Sequence, residues 1–444
     1  WAAVVHWGSA AVAAAGFLTA LVLAMRAPVR PADIARAGLG GVEPILIAAL
    51  VGALALTIAI GRPERNRLRN LIATSAMAAL ILALTLAAVW TLIDDSVRDV
   101  RGADETATPV LDQGDVDAFL ATHLTPAASE TAPYRIPTGV LLESIEFLSA
   151  NNVRISGYIW QKWPRGVPPD IARGVELPEA VEGSDLVEPT YERKTADGSD
   201  LIGWHVQVTL RQAFDYHRYP FDRQDVWLRM WSRDFTRRVV LVPDFASYPI
   251  VAPAALPGLD PHFVYAGWTP EHAHFSFDAS RAGATVGESA AQQDAPYPEL
   301  FFNVGLKRDF LEPFLDYVIF SLVVALLLFG ILVLTKADEA SKSRFGISTF
   351  GILGSSGTLL FAVILKHAQL RGAIGPDQIV YLETLPGLLY VGILLVALNA
   401  ILLVDPPERT LAFLRYRNNL APALLFWPAL LGVLLIVTLF LFGQ

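Results

Sequence analysis

Asp215-Tyr216-His217-Arg218-Tyr219-Pro220-Phe221-Asp222-Arg223-Gln224 interrupts an otherwise regular alternation of apolar and polar residues. Proline fixes φ and lacks an amide donor, so Tyr219-Pro220 reads as a rigid turn, capped by a carboxylate and backed by aromatic rings. Before it, Trp204, Val206, Val208 and Leu210 share one face while His205, Gln207, Thr209 and Arg211 share the other. After it, residues 226–231 alternate again. A period of two marks half-buried strands, so the turn joins two strands of a β domain.

The same pattern extends outward. Leu300, Phe302, Val304 and Leu306 alternate with Phe301, Asn303, Gly305 and Lys307, and further strands are expected at 139–148, 153–161, 225–232, 238–243 and 262–277. Pro/Gly/Asp-rich connections separate them. A two-sheet, immunoglobulin-like sandwich over 134–312 is the natural packing. Residues 94–133 are acidic and polar, and are expected to be a tether with a short helix near 116–124.

Outside this block the chain is greasy. Of its 444 residues 53% are hydrophobic and only 17% charged, with a mean hydropathy of +0.44. Seven apolar runs are long enough to cross a bilayer: 1–25, 42–61 and 70–93 before the block, and 314–335, 345–366, 381–404 and 420–443 after it. The first is expected to be a true span, since Arg26 and Pro28 follow it in place of a small-residue cleavage site. Trp1 is not a start methionine, so residues are expected to precede it. The reading is an α+β membrane protein with a three-helix region at 1–93, the tether, the sandwich, and a four-helix bundle at 313–444.

Lys and Arg in short loops are retained in the cytoplasm. Arg62, Arg65, Arg67, Arg69, Lys336, Lys342, Arg344, Arg409, Arg415 and Arg417 lie on one side, against Arg26, Arg30, Arg36, Lys366 and Arg371 on the other. The first set is therefore cytoplasmic and residues 94–312 face outward. Those residues hold 33 Asp and Glu against 19 Lys and Arg, which argues against nucleic-acid binding. No cysteine is present, which excludes disulfides, thiolate metal sites and Cys nucleophiles. P-loop, dinucleotide, His-Glu-x-x-His and Gly-x-Ser-x-Gly patterns are all absent from the sequence, so catalysis has no support and no cofactor is expected.

The turn and the order of elements around it resemble the pentameric ligand-gated ion channels, the Cys-loop receptor superfamily. That family's loop reads aromatic-Pro-Phe-Asp-x-Gln, matched here at Tyr219, Pro220, Phe221, Asp222 and Gln224. The positions of its paired cysteines fall on Gln212 and Val226, as in the cysteine-free prokaryotic branch. The resemblance covers residues 134–444 and departs in three places. Tyr317-Val318-Ile319-Phe320 runs where the family's first helix carries a proline, Trp160-Gln161-Lys162-Trp163 lacks the Asp of its Trp-x-Asp strand, and the three N-terminal spans have no counterpart.

The resemblance implies a homopentamer in a bacterial inner membrane, embedded in lipid. A small-molecule or ion ligand would bind between subunits on the outer domain and open a pore lined by the helix at 344–366. Thr349, Leu353, Ser356 and Leu360 form one stripe of that helix and are the expected pore lining, with Leu353 at the family's mid-pore leucine. That same register would also put Phe350 and Gly346 on the pore wall, where the family usually has polar residues, so a register one residue away stays open. Asp222 and Arg308 are implied to pair where the sandwich meets the membrane, facing Asn152 in the turn 149–152 and the loop 371–379. Trp160, Trp163, Trp231, Phe235 and Tyr297 are the candidate aromatic ligand box.

Each candidate has a plainer reading. Gly346, Gly351, Gly354 and Gly357 would equally serve close helix packing in a bundle that does not conduct. Sandwich aromatics are more often core than ligand box. His272 and His274, two apart on a strand with His262 and Glu271 nearby, could hold a zinc ion or sense pH, but the set is loose and the plainer expectation is a solvated strand face. The acidic outer block favours cations while Arg344 at the cytoplasmic mouth argues the other way, so selectivity stays open. The rival function is a non-conducting membrane receptor or accessory subunit. A transporter would need charges deep in several helices, and His6, Asp316 and Glu383 lie near span ends.

Overall fold

The structure, a computed structural model, describes residues 68–94, 107–124, 132–183, 188–234, 237–262, 267–278, 298–336, 348–374, 379–404 and 412–442. The expected spans at 1–25 and 42–61 lie outside the described residues.

Eleven strands form two sheets among the described residues. One sheet has the order β1-β10-β11-β8-β4, with β1 Thr108–Val110, β4 Val175–Glu176, β8 Arg223–Ser232, β10 Trp268–Asp278 and β11 Glu299–Arg308. The other runs β5-β7-β3-β2-β9, with β2 Tyr134–Ser149, β3 Asn152–Trp163, β5 Ala180–Gly183, β7 Asp200–Arg211 and β9 Val239–Pro243; β6 Tyr191–Lys194 also pairs with β7. The neighbours are antiparallel except β2 with β9. The alternating residues of both sheets meet in one core, where Ile136, Val140, Ile155, Ile159, Val206 and Val208 face Val226, Leu228, Phe275, Phe277, Phe302 and Val304. This is a sandwich.

The long strands fall where the alternation puts them. The short strands β1, β4, β5 and β6 went unseen because two to four residues cannot establish a period. The expected tether is corrected in part: β1 pairs with β10, and the helix α2, Gln113–His123, buries Val116, Phe119 and Leu120 in the sandwich core. Asp112 caps α2 by accepting from the Asp115 amide.

Five helices among the described residues are long and apolar enough to cross a membrane: α1 Leu68–Asp94, α3 Leu311–Leu334, α4 Thr349–Ile374, α5 Tyr381–Leu402 and α6 Leu420–Phe442. The chain is a multi-pass membrane protein. Val324, Leu328 and Leu332 of α3, Val363 of α4, and Leu389, Ile393 and Val396 of α5 share one apolar cluster. Leu82, Leu86, Val89 and Ile93 of α1 pack with Leu434 and Leu435 of α6, and the Ser75 hydroxyl donates to the Leu424 carbonyl at 2.5 Å. Helix α4 runs past its expected end at 366, because the polar residues there find partners. Lys366 bonds Asp316 at 2.5 Å and lies 4.5 Å from the Tyr317 ring, while Arg371 pairs with Glu383.

Gly157 shows how tightly the strands approach. A Cβ there would stand 2.1 Å from the Leu141 carbonyl oxygen and 2.8 Å from the Leu142 Cα, beside the register shift between Leu142 and Ser144. These atoms are backbone of the neighbouring strand β2, which cannot rotate away as a side chain could. Gly157→Ala is expected to destabilise the sandwich by roughly 1–3 kcal/mol, read as a lowered midpoint in guanidinium unfolding of the purified chain.

Candidate functional site at the sandwich–membrane junction

The loop 212–222 leaves β7 in one sheet and enters β8 in the other, so it crosses the open end of the sandwich. Two buried glutamine amides close it. Gln212 donates to the Trp227 carbonyl at 2.5 Å and accepts from its amide at 3.4 Å. Gln224 donates to the Asp215 carbonyl at 2.7 Å and accepts from the Asp215 amide at 3.1 Å. Each side chain imitates a strand partner and satisfies its own polar atoms in doing so. Gln212 thus ties the loop ends at a position where the resemblance implied a lost cysteine.

Asp222, the last residue of this loop, has a side-chain exposure of 0%. Its carboxylate accepts from Arg308 Nε at 2.7 Å, Arg308 Nη2 at 3.0 Å and Gln224 Nε2 at 2.8 Å. The Arg308 guanidinium stacks 4.1 Å from the Trp268 ring and 4.7 Å from that of Tyr219. A buried charge pair is tolerated only with good geometry and satisfied hydrogen bonds, and both conditions hold here. Burial disfavours the Arg308 charge, Asp222 beside it outweighs that, and the pKa of Arg308 is raised. Burial also pushes the Tyr216 hydroxyl up to about 12 and raises that of Tyr219.

Toward the membrane the loop is stitched to helices. The Tyr381 amide donates to the His217 carbonyl at 3.0 Å and the Leu382 amide to the Tyr219 carbonyl at 3.2 Å, so the first turn of α5 hangs from the loop. Phe221 packs on Phe310 before α3, on Tyr381, and edge-on against Phe442 at the end of α6, with ring centroids 5.0, 6.1 and 5.8 Å apart. Leu370 and Ile374 at the end of α4 belong to the sandwich core cluster together with Val380 and Leu382. Asn152 is half-buried in its turn and accepts from Arg211 Nε at 3.4 Å, while the Gln212 amide bonds the Asn151 carbonyl at 2.9 Å. Of the residues expected to couple the two parts, Tyr219, Phe221, Asp222 and Arg308 therefore meet at one seam, while Asn152 is bonded to the end of β7.

Sequence reasoning missed a second set there. Glu383, nearly buried, accepts from His367 Nε2 at 3.0 Å, from Arg371 Nη2 at 3.1 Å and from the Val380 amide at 3.1 Å. His367 Nδ1 also lies 3.0 Å from the Tyr390 hydroxyl. This set ties the end of α4 to the start of α5. A carboxylate at the edge of an apolar span was the available signal for it.

Other expectations meet a different structure. On α4 the side turned into the bundle carries Ile352, Ser356, Val363 and Leu370. Ser356 is 3% exposed, and Thr349 and Leu360 are half-buried on flanking positions, with Leu353 more open. At 3.6 residues per turn the opposite face is Phe350, Gly354, Phe361 and Leu365, and Phe350 and Phe361 are 85% and 68% exposed. A Cβ on Gly354 or Gly357 would meet nothing within 4 Å, so these glycines serve no packing among the described residues of the chain.

The tryptophans do not form one open box. Trp160 donates to Asp244 at 2.8 Å, Trp163 is buried in the core with the Arg173 guanidinium 5.4 Å from its ring, and Trp231 lies in the other sheet. The Trp231 face is covered by Arg229 at 4.7 Å, itself held by Glu299 at 2.5 and 2.9 Å and by Glu179 at 3.2 Å. Phe235 and Tyr297 lie outside the described residues. The solvated face expected for the histidines is corrected: His274 is buried, His272 nearly so, and their rings are 5.3 Å apart. The outer side of that sheet is covered, as buried Ser276, Asp278 and Asn303 also show. Among the described residues no three His, Asp or Glu side chains are placed to hold a metal ion.

No family model matches this chain, and no curated protein matches its sequence.

Truncating one partner of the buried pair leaves the other charge uncompensated. Asp222→Ala is expected to cost roughly 3–5 kcal/mol, and Gln212→Leu about 1–3 kcal/mol by orphaning the Trp227 backbone groups. Guanidinium midpoints of the purified chain followed by tryptophan fluorescence check both. The joint replacement Asp222→Leu with Arg308→Met is expected to cost less than Asp222→Ala alone.

Proposed function

We propose that the chain is one subunit of a homopentameric ligand-gated channel, or channel-like receptor, of the pentameric ligand-gated family in a bacterial inner membrane. The sandwich faces the periplasm, a reading supported by the excess of Lys and Arg in the opposite loops. A small-molecule or ion ligand binds between sandwiches. Its binding is coupled to α4 through the loop 212–222.

One observation carries this reading. The loop that bridges the two sheets is bonded through its backbone to the first turn of α5, while the end of α4 lies in the same apolar cluster as the sandwich core. A shift between the sheets therefore has a continuous packed path to α4, and packed elements move as bodies rather than deform. Closed cyclic symmetry would set five copies of α4 around an axis. The face turned to that axis is Phe350, Gly354, Phe361 and Leu365, one step round from the stripe read from the sequence. The open glycines allow helices of neighbouring copies to approach closely.

That face also supports a second reading. Rings of Phe350 and Phe361 would make a pathway that sheds water, which suits a closed pore or a receptor that does not conduct. Planar-bilayer recording of the reconstituted chain separates the two. Phe361→Ser is expected to raise spontaneous current roughly tenfold over the unmodified chain, because a polar ring admits water. Silence from both would leave the non-conducting receptor.

A further inference from the structure

The family plan has no place for helix α1, yet its C-terminal turn reaches the centre of the junction. Trp90 Nε1 donates to the Tyr381 hydroxyl at 2.7 Å, which in turn lies 2.7 Å from the Thr438 hydroxyl of α6. The Trp90 ring packs on Phe221 of the loop and Phe310 before α3, with centroids 6.3 and 6.0 Å away. One turn later the Asp94 carboxylate bonds Lys307 of β11 at 2.8 Å, and its carbonyl accepts from Arg223 of β8 at 3.0 Å. Arg223 is also paired with Glu271 of β10 at 2.8 Å. Two cations thus meet the carbonyl end of α1, where the helix dipole favours positive charge.

We propose that α1 is a built-in control strut of the junction: Trp90 and Asp94 are positioning residues that hold the loop, the start of α5 and the ends of β8 and β11 in one arrangement. The inference rests on the coupling role given to that loop. A helix used only as an anchor needs an apolar stripe, and α1 has one against α6. An anchor does not need an indole donor aimed at a buried tyrosine, nor a carboxylate on the last strand before the membrane. These contacts touch the moving parts on both sides of the seam, so whatever shifts α1 along α6 must shift the junction with it.

Hydrogen exchange on the full chain in detergent tests this without a ligand. The reporters are the amides of Tyr381 and Leu382, whose acceptors lie in the loop, and the controls are Ile155 and Val208 in the paired strands β3 and β7. Trp90→Phe keeps the ring contacts and removes the donor; Asp94→Asn removes the charge. Each is expected to speed exchange at the reporters roughly tenfold while the controls stay unchanged, and the swap Asp94→Lys with Lys307→Asp is expected to restore protection lost in Asp94→Lys alone. If both single variants leave the reporters unchanged while Asp222→Asn speeds them, α1 is an anchor only and the coupling reading stands. Reporters unchanged in all three variants overturn the strut and the coupling reading together.

Discussion

A fully buried carboxylate facing a stacked guanidinium, Asp222 with Arg308, is the constraint around which the junction is organised. Its position explains its importance. Asp222 immediately precedes β8 and Arg308 ends β11, and these strands are neighbours whose last paired residues are Arg223 and Lys307. The pair therefore locks the loop to the point where the chain leaves the sandwich for the first helix of the bundle. Removing charges from water costs several kcal/mol per ion, so the loop cannot leave this geometry without exposing one partner or burying the other alone.

From that fixed point the contacts divide by chemistry. Backbone hydrogen bonds at His217 and Tyr219 carry the loop's position to α5, and the Phe221 cluster carries it to α3 and α6. Helix α4 is reached differently, through Leu370 and Ile374 in the sandwich core and through Glu383, which gathers His367, Arg371 and the Val380 amide. The charged set fixes the rotation of α4 about its own axis. With Ile352, Ser356 and Val363 turned inward, Phe350 and Phe361 must point away from the bundle.

Much of the architecture was legible in the sequence. Alternation over 204–210 and 300–306 gave long strands because half-buried sheets impose it, and the apolar runs at 70–93, 314–335, 345–366, 381–404 and 420–443 gave the five described helices because a bilayer demands their length. The Tyr219–Asp222 turn with Arg308 marked the seam. What stayed hidden has physical causes. Helix α4 is rich in Gly, Leu, Ile and Phe on every side, so its pattern holds too little asymmetry to say which face turns inward. His272 and His274 alternate as solvated residues would, but sequence does not say that the outer face of their sheet is covered. The tryptophans carry no sign of the partners, Asp244 and Arg229, that occupy them. The glutamine ties at Gln212 and Gln224 depend on side-chain geometry across the loop, and α1 is tied to the seam through residues more than a hundred positions away.

The most direct measurement is a single-particle reconstruction of the detergent-solubilised chain viewed down the membrane normal. The account predicts a closed ring of five in which α4 is innermost, Phe361 faces the axis, and α1 lies outside α6 with Trp90 at the seam. A monomer, or a ring with another helix at its axis, would contradict it.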